Sequence, residues 1–286
     1  MPSWFRNGLA LTAALALATV ITLAGSTSGQ AAEEPKHVLM LHSFGPRFKP
    51  WTDHARVIRS QIRRNMQGAV DFHDHSLLEA RYVDAELEEP CVDYLSALYA
   101  SKLPDLIITV GAPAASFVQR HRPRLFPGVP LLLTAASQRR VEMESLTAND
   151  AVVGVRNDHR AALENILRVL PGTKTIQIVS GVSPVETWLR NELQRDFVPL
   201  AERIEIKWHN DLSFEQLLND AAHLPPHNAI YWLLLIVDAA GITHEESSAL
   251  DRLAAVANAP IFTHNDAFFG EAIVGGPMQS VEGLPD

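Results

Sequence analysis

Along this chain, short runs of apolar and β-branched residues alternate with longer segments whose apolar positions recur at helical spacing. That alternation is the pattern of repeated βα units built around mainly parallel sheets, and it predicts the α/β class. The first unit is a strand His37–His42, a loop from Ser43 to Pro50, and a helix from about Trp51 to Met66. The pattern continues with strand Val70–His75, helix Pro90–Ser101, strand Leu106–Val110, helix Pro113–His121, and strands Pro130–Thr134 and Val152–Val155. A second series opens with helix Asp158–Leu170, where Asp158 is placed to cap the start and Pro171-Gly172 to stop it. Strand Thr175–Ser180, helix Pro184–Leu200, strand Arg203–Trp208 and helix Ser213–Ala222 follow. Then come strand Ala229–Ile236, helix Glu245–Ala257, strand Pro260–Thr263 and a short strand Ala272–Val274. No fixed-period repeat or low-complexity tract is present beyond this alternation.

Ahead of the first strand, a short start carrying Arg6 leads into the apolar run Leu9–Ala24, then into the small, polar stretch Gly25–Ala32 with its A-x-A-like Gly29-Gln30-Ala31. This reads as a secretory signal segment over residues 1–32, cleaved after Ala31 or Ala32, and places the protein in the periplasm. An uncleaved anchor is the alternative. No cysteine follows the run closely, so lipid attachment at a mature N-terminus is not expected. Cys91, the single cysteine, has no internal partner, so core burial and not a disulfide framework must stabilise the fold.

The remaining stretch of roughly 255 residues is long enough for two compact lobes. The formal charge of −9, without a Lys/Arg block, argues against a nucleic-acid or anionic-membrane surface. Arg56, Arg59, Arg63 and Arg64 recur at helical spacing and read as a solvated helix face. The expected division is a first lobe over residues 33–153, with residues 276–286 returning to it, and a second lobe over residues 154–275.

In open α/β sheets ligands bind beyond the carboxyl ends of the strands, so the loops there carry the candidate contacts. They are Ser43, Phe44 and Gly45 after the first strand, and Gly111, Ala112, Pro113, Ala114 and Ala115, whose small size brings a helix start close to an acidic group. Thr134 and Ala135, Ser180, Asp238, and Asn265 with Asp266 end further strands, and Trp188 lies one helical turn past Pro184. Ordinary turns, caps and core burial explain several of these residue types equally well. The apolar Leu233, Leu234 and Leu235, with Phe268 and Phe269 nearby, point to a ligand with an aromatic or aliphatic body or to simple core burial. His73 and His75 share a strand face with Asp74 between them, but without a third ligand in an obvious position no metal site is expected. No P-loop, G-x-S-x-G or G-x-G-x-x-G occurs, and no cofactor is called for.

Several segments resemble, in order, the ABC-transporter substrate-binding family that includes tryptophan-binding lipoproteins. They are Leu106–Ala115 (LIITVGAPAA), Pro130–Ala136 (PLLLTAA), Val152–Val155, Ile176–Ser180 followed by Pro184, Ala229–Trp232 and Pro260–Thr263. Val38–Phe44 (VLMLHSF) and Gly270–Pro277 (GEAIVGGP) are closer still to the version of this domain found outside the membrane in bacterial sensor histidine kinases. The resemblance implies two Rossmann-like lobes joined by a hinge, the type I periplasmic binding fold, clamping a small organic ligand such as an amino acid or aromatic acid. The implied partners are an ABC permease or a sensor kinase, with membrane contact only through them or an uncleaved signal segment. Members of the family continue with a helix that returns to the first lobe, whereas this chain ends at Asp286, so that C-terminal return helix is expected to be missing. The competing readings are an exported α/β hydrolase using His264 and Asp266, and a truncated fragment of a sensor.

Overall fold

The computed structural model describes residues 34–45, 48–77, 88–155, 157–268, 270 and 273–274. Residues 1–32, Phe269, Ala272 and residues 275–286 therefore lie outside the described residues, and with them the expected signal segment, the expected return to the first lobe and the expectation about a C-terminal helix. The described residues from Lys36 onward belong to one compact unit.

Among the described residues, nine strands form two wholly parallel sheets. The first contains β1 (Lys36–His42), β2 (Val70–Ser76), β3 (Leu106–Val110), β4 (Leu131–Ser137) and β5 (Asp150–Val155) in the order β2-β1-β3-β4-β5. The second contains β6 (Thr175–Ser180), β7 (Glu205–His209), β8 (Asn228–Leu234) and β9 (Ile261–Thr263) in the order β7-β6-β8-β9. In each sheet the first strand of the set sits between the second and third, so the chain reverses direction across the sheet at that point. The crevice this leaves at the strands' carboxyl ends is where doubly wound sheets bind ligands.

The inner strands read as near-continuous apolar runs because helices cover both faces. Every residue of β6 is buried, and β8 buries Trp232 and Tyr231 completely. The covering helices of the first set are α1 (Trp51–Asn65), α2 (Glu88–Leu98) and α3 (Ala112–Leu125). Those of the second set are α4 (His159–Val169), α5 (Pro184–Asp196), α6 (Val198–Ala201), α7 (Phe214–Ala221) and α8 (Glu246–Val256). The expected starts at Asp158 and Ser213 form, Asp158 accepting from Ala161 N and Ser213 completing a capping box with Gln216; Ser183 forms a further capping box with Glu186. No helix among the described residues is long and apolar enough to cross a membrane.

Four expectations need correction. The helix expected over Pro184–Leu200 is interrupted at Phe197, because Pro199 has no N–H to continue the i to i−4 hydrogen bonds across that point. β4 runs three residues beyond Thr134, through a bulge at Ala135, whose φ is 52°. Ile273 and Val274 form no strand, and only Val274 N–H bonds to Ile261 O at 2.7 Å. The arginine stripe of α1 is not wholly solvated, since Arg59 pairs with Asp74 and both Arg59 and Arg63 lie over the Phe72 ring, 5.5 and 5.1 Å from its centroid.

The loop after β1 reaches into the second set. Phe44 and Phe48, stacked at 4.9 Å, join an apolar cluster composed otherwise of second-set residues that include Ile178, Tyr231 and Leu234. Lys49 Nζ donates to Ala267 O at 3.3 Å beside them.

Candidate functional site

A cavity of about 530 Å³ is lined by residues from both sheets' carboxyl ends. From the first set come Phe44, Trp51, His54, Ala112, Pro113, Ala135 and the turn Ser137–Arg140. Asn157 lies on the connection between sets. From the second come His159, Val185, Trp188, Glu192, Leu233, Leu234, Glu246, His264, Asn265 and Phe268. The size is ordinary for a small-molecule site, as is the mixture of apolar walls with a few polar atoms.

Six of the predicted contacts line this cavity: Phe44, Ala112, Pro113, Ala135, Trp188 and Asn265. Trp188 carries Arg140 over its ring, with Cζ 5.2 Å from the centroid. Ala135 holds a left-handed backbone at the bulge, a conformation that costs about 1 kcal/mol or more in a non-glycine residue. Asn265 is buried and turns Oδ1 back to accept from Ala267 N at 3.1 Å.

The other nine do not line it, and their polar atoms are mostly engaged inside the protein. Ser43 Oγ donates to Val110 O and accepts from Ala114 N, both at 2.9 Å, so it fastens the start of α3 to β1. The N–H groups expected to meet an acidic ligand are thereby occupied, since Ala115 N donates to Gly111 O. Gly111 has φ 95°, and a Cβ there would stand 2.6 Å from Ser43 Oγ and 3.0 Å from Trp51 Nε1. Only glycine fits that approach. Thr134 Oγ1 donates to Thr109 O at 2.6 Å. Asp238 accepts from the backbone of Phe214, Ala240 and Ile242 and is hydrogen-bonded to His244, tying the loop after β8 to the start of α7. Burial would raise its carboxyl, but those hydrogen bonds hold it below the usual range. Ser180 is buried without a partner for Oγ, and Gly45 and Asp266 lie off the cavity lining.

Four further lining side chains, not expected as ligand contacts, carry unpartnered atoms. Arg140 Nη1, Asn157 Oδ1, Glu246 Oε2 and His264 Nδ1 are each shielded from solvent yet have no hydrogen-bond partner among the described residues. Such atoms are rare, because an unmet buried polar group costs about 1–3 kcal/mol. Trp232 Nε1 donates to Glu246 Oε1 at 2.9 Å, leaving the second oxygen alone. Burial drives the Glu246 carboxyl well above its ordinary value, with Glu186 and Glu245 adding to the effect. The His264 imidazole is pushed down to about 4 by burial. Its ring meets that of His159 at 4.5 Å, and His159, itself held far below its ordinary value by burial, shares a 2.9 Å hydrogen bond with Tyr231 Oη. Burial likewise lowers Arg140, which has no acidic partner among the described residues. The rim beside it is different: Arg139 pairs with Glu192 at 3.1 Å. Among the described residues no group of three or more metal-ligating side chains lies in the cavity.

No family model matches the chain, and no curated protein matches it by sequence. Solved structures do. A ligand-free, open substrate binding protein with adhesive properties from Clostridium difficile superposes with a TM-score of 0.55 at 14% identity, over 87% of this chain and 81% of that one. An ABC domain in complex with L-Trp from Streptococcus pneumonia gives 0.57 at 14% identity, over 86% and 80%. A solute binding protein of an ABC transporter from Rhodopseudomonas palustris, in complex with 3,4-dihydroxy benzoic acid, gives 0.53 at 10% identity, over 86% and 66%. The fold is that of the type I periplasmic binding proteins. The cavity lies at the carboxyl ends of both sheets, the position where open α/β sheets bind ligands.

Proposed function

We propose that this protein is an extracytoplasmic solute-binding protein that clamps one small organic ligand between its two sheets and performs no chemistry on it. The observation that carries this reading is the set of unmet buried atoms on Arg140, Asn157, Glu246 and His264 around one cavity. A fold leaves such atoms unpaired at a cost, and a ligand that pairs with them recovers it. Arg140 supplies a fixed cation for an anionic group, while Glu246, Asn157 and His264 offer positions for donor groups. Phe44, Trp51, Trp188 and Phe268 supply faces for an apolar or aromatic body. An amino acid or aromatic acid meets these demands. The L-Trp and dihydroxybenzoate complexes among the similar structures agree with that class.

The site ligand moves the two α/β sets toward a closed arrangement, and the protein serves either as the receptor of an ABC permease or as the sensing input of a kinase. On this reading the lobes divide at residues 153–154, near the end of β5, and residues 1–32 are the export segment.

Native mass spectrometry of the untagged full chain tests the reading. One small molecule per chain, released unaltered on denaturation, is expected. Release of a chemically changed compound, with turnover that disappears in His264→Ala, would replace this reading with the hydrolytic one.

A further inference from the structure

The histidine pair on β2 does not act as a pair. His75 turns to Tyr99, with Nε2 3.2 Å from Oη, whereas His73 Nε2 lies 2.9 Å from Asp71 Oδ2. The parallel register sets His37 of β1 directly beside Asp71, and His37 Nδ1 is 3.6 Å from the same carboxylate oxygen. One donor atom from each of His37, Asp71 and His73 therefore falls within 4.8 Å of the other two. Neighbouring ligands on a tetrahedral ion with bonds of 2.0–2.1 Å stand about 3.3 Å apart. The present His73–Asp71 and His37–Asp71 separations, 2.9 and 3.6 Å, lie on either side of that spacing.

Two features of the neighbourhood favour a cation. Lys36, the nearest ammonium in sequence, is drawn to Asp105 at 3.3 Å, and Asp105 also accepts from His37 N at 2.8 Å, which fixes the start of β1. The three side chains stay hydrated, 24% exposed for His37, 54% for Asp71 and 42% for His73, so the ion keeps water in its open positions and no buried charge is created.

We infer that His37, Asp71 and His73 form a divalent metal site of the zinc class at the edge of the first sheet, separate from the ligand cavity. Two imidazoles and one carboxylate suit Zn²⁺, and also Ni²⁺ or Cu²⁺, better than Mg²⁺ or Ca²⁺. Because the ligands come from two strands, the ion clips the edge strand β2 to β1. The ion thereby binds the folded chain in preference to the unfolded one.

Equilibrium dialysis of the untagged full chain against Zn²⁺, with X-ray absorption on the loaded protein, tests the inference. The expected result is one Zn²⁺ per chain with two imidazole ligands at 2.0–2.1 Å, and a tenfold or greater loss of affinity in His37→Asn and in His73→Asn. His223→Gln, which alters an exposed histidine bonded to Asn219 O, should bind as the wild type does. At a hundredfold excess over Kd, Zn²⁺ should raise the unfolding midpoint by roughly 5–10 °C in the wild type and not in the two site variants. Both substituted positions are at least partly exposed, and circular dichroism confirms that the variants fold. Zinc binding unchanged in His37→Asn and His73→Asn, absence of a one-to-one site, or a zinc shell without imidazole would each overturn the assignment.

Discussion

Two buried glutamates stand close to helix starts in the second set, and they have opposite surroundings. Glu186, in the first turn of α5, accepts from four backbone N–H groups, those of Gly181, Ser183, Ile236 and Val237, at 2.7–3.4 Å. A Cβ on Gly181 would collide with this carboxylate, so the glycine and the glutamate are fitted to one another. Glu246, first residue of α8 and part of the cavity lining, has Trp232 as its partner through Oε1, while Oε2 is buried without a partner among the described residues. Burial raises both carboxyls above their ordinary value. One glutamate thus holds the turns after β6 and β8 together, while the other has an oxygen that no described residue satisfies, which the proposed function assigns to the ligand.

The largest expected effect tests the first half of that contrast. Glu186→Ala strands four buried donors and should lower the unfolding free energy by about 3–5 kcal/mol. A loss below about 1 kcal/mol in chemical denaturation would show that the turns hold without it.

Gly111→Ala probes the same self-contained kind of region in the first set. It forces a Cβ against Ser43 Oγ at a left-handed backbone, and a loss of about 2 kcal/mol is expected. Trp51 fluorescence should shift as its indole is pushed away from Gly111.

Glu246→Gln addresses the second half. It should weaken ligand binding tenfold or more, about 1.4 kcal/mol, while leaving stability at neutral pH unchanged or slightly higher. The sign follows from the raised carboxyl. The stability this group contributes is fully present below its unfolded value of 4.5 and is lost as pH rises through the higher folded value, so the wild type should fall behind Glu246→Gln over that window. A variant that binds ligand normally would move the recognition elsewhere.

The smallest effect concerns His264. Its folded value of about 4 lies below 6.5, so the neutral ring contributes stability that is lost as pH falls from 6.5 toward 4. His264→Asn should flatten that part of the stability profile, and a ligand that bonds Nδ1 should shift its window. Identical profiles in the two proteins would remove His264 from the account.

The fold was largely legible because buried parallel strands leave continuous apolar runs, and caps such as Asp158 and Ser213 mark helix starts within a few residues. The cavity was partly legible. Of the residues placed past strand ends, Phe44, Ala112, Pro113, Ala135 and Asn265 line it. Ser43, Thr134 and Asp238 do not, and their polar atoms are engaged inside the protein, through hydrogen bonds between distant segments that leave no local signature. The expected β4 also stopped too early, since the bulge at Ala135 carries the strand on and delivers Arg140 to the cavity instead of Thr134. His37 was out of reach for a related reason: its place beside Asp71 exists only once β1 and β2 are in register.

A thermal-unfolding screen of the wild-type full chain and Glu246→Gln against amino acids, aromatic acids and other small organic anions tests solute binding at this cavity most directly. At least one compound should raise the wild-type midpoint by several degrees, with the shift greatly reduced in Glu246→Gln. A folded wild type that no compound stabilises, or shifts of equal size in both proteins, would contradict it.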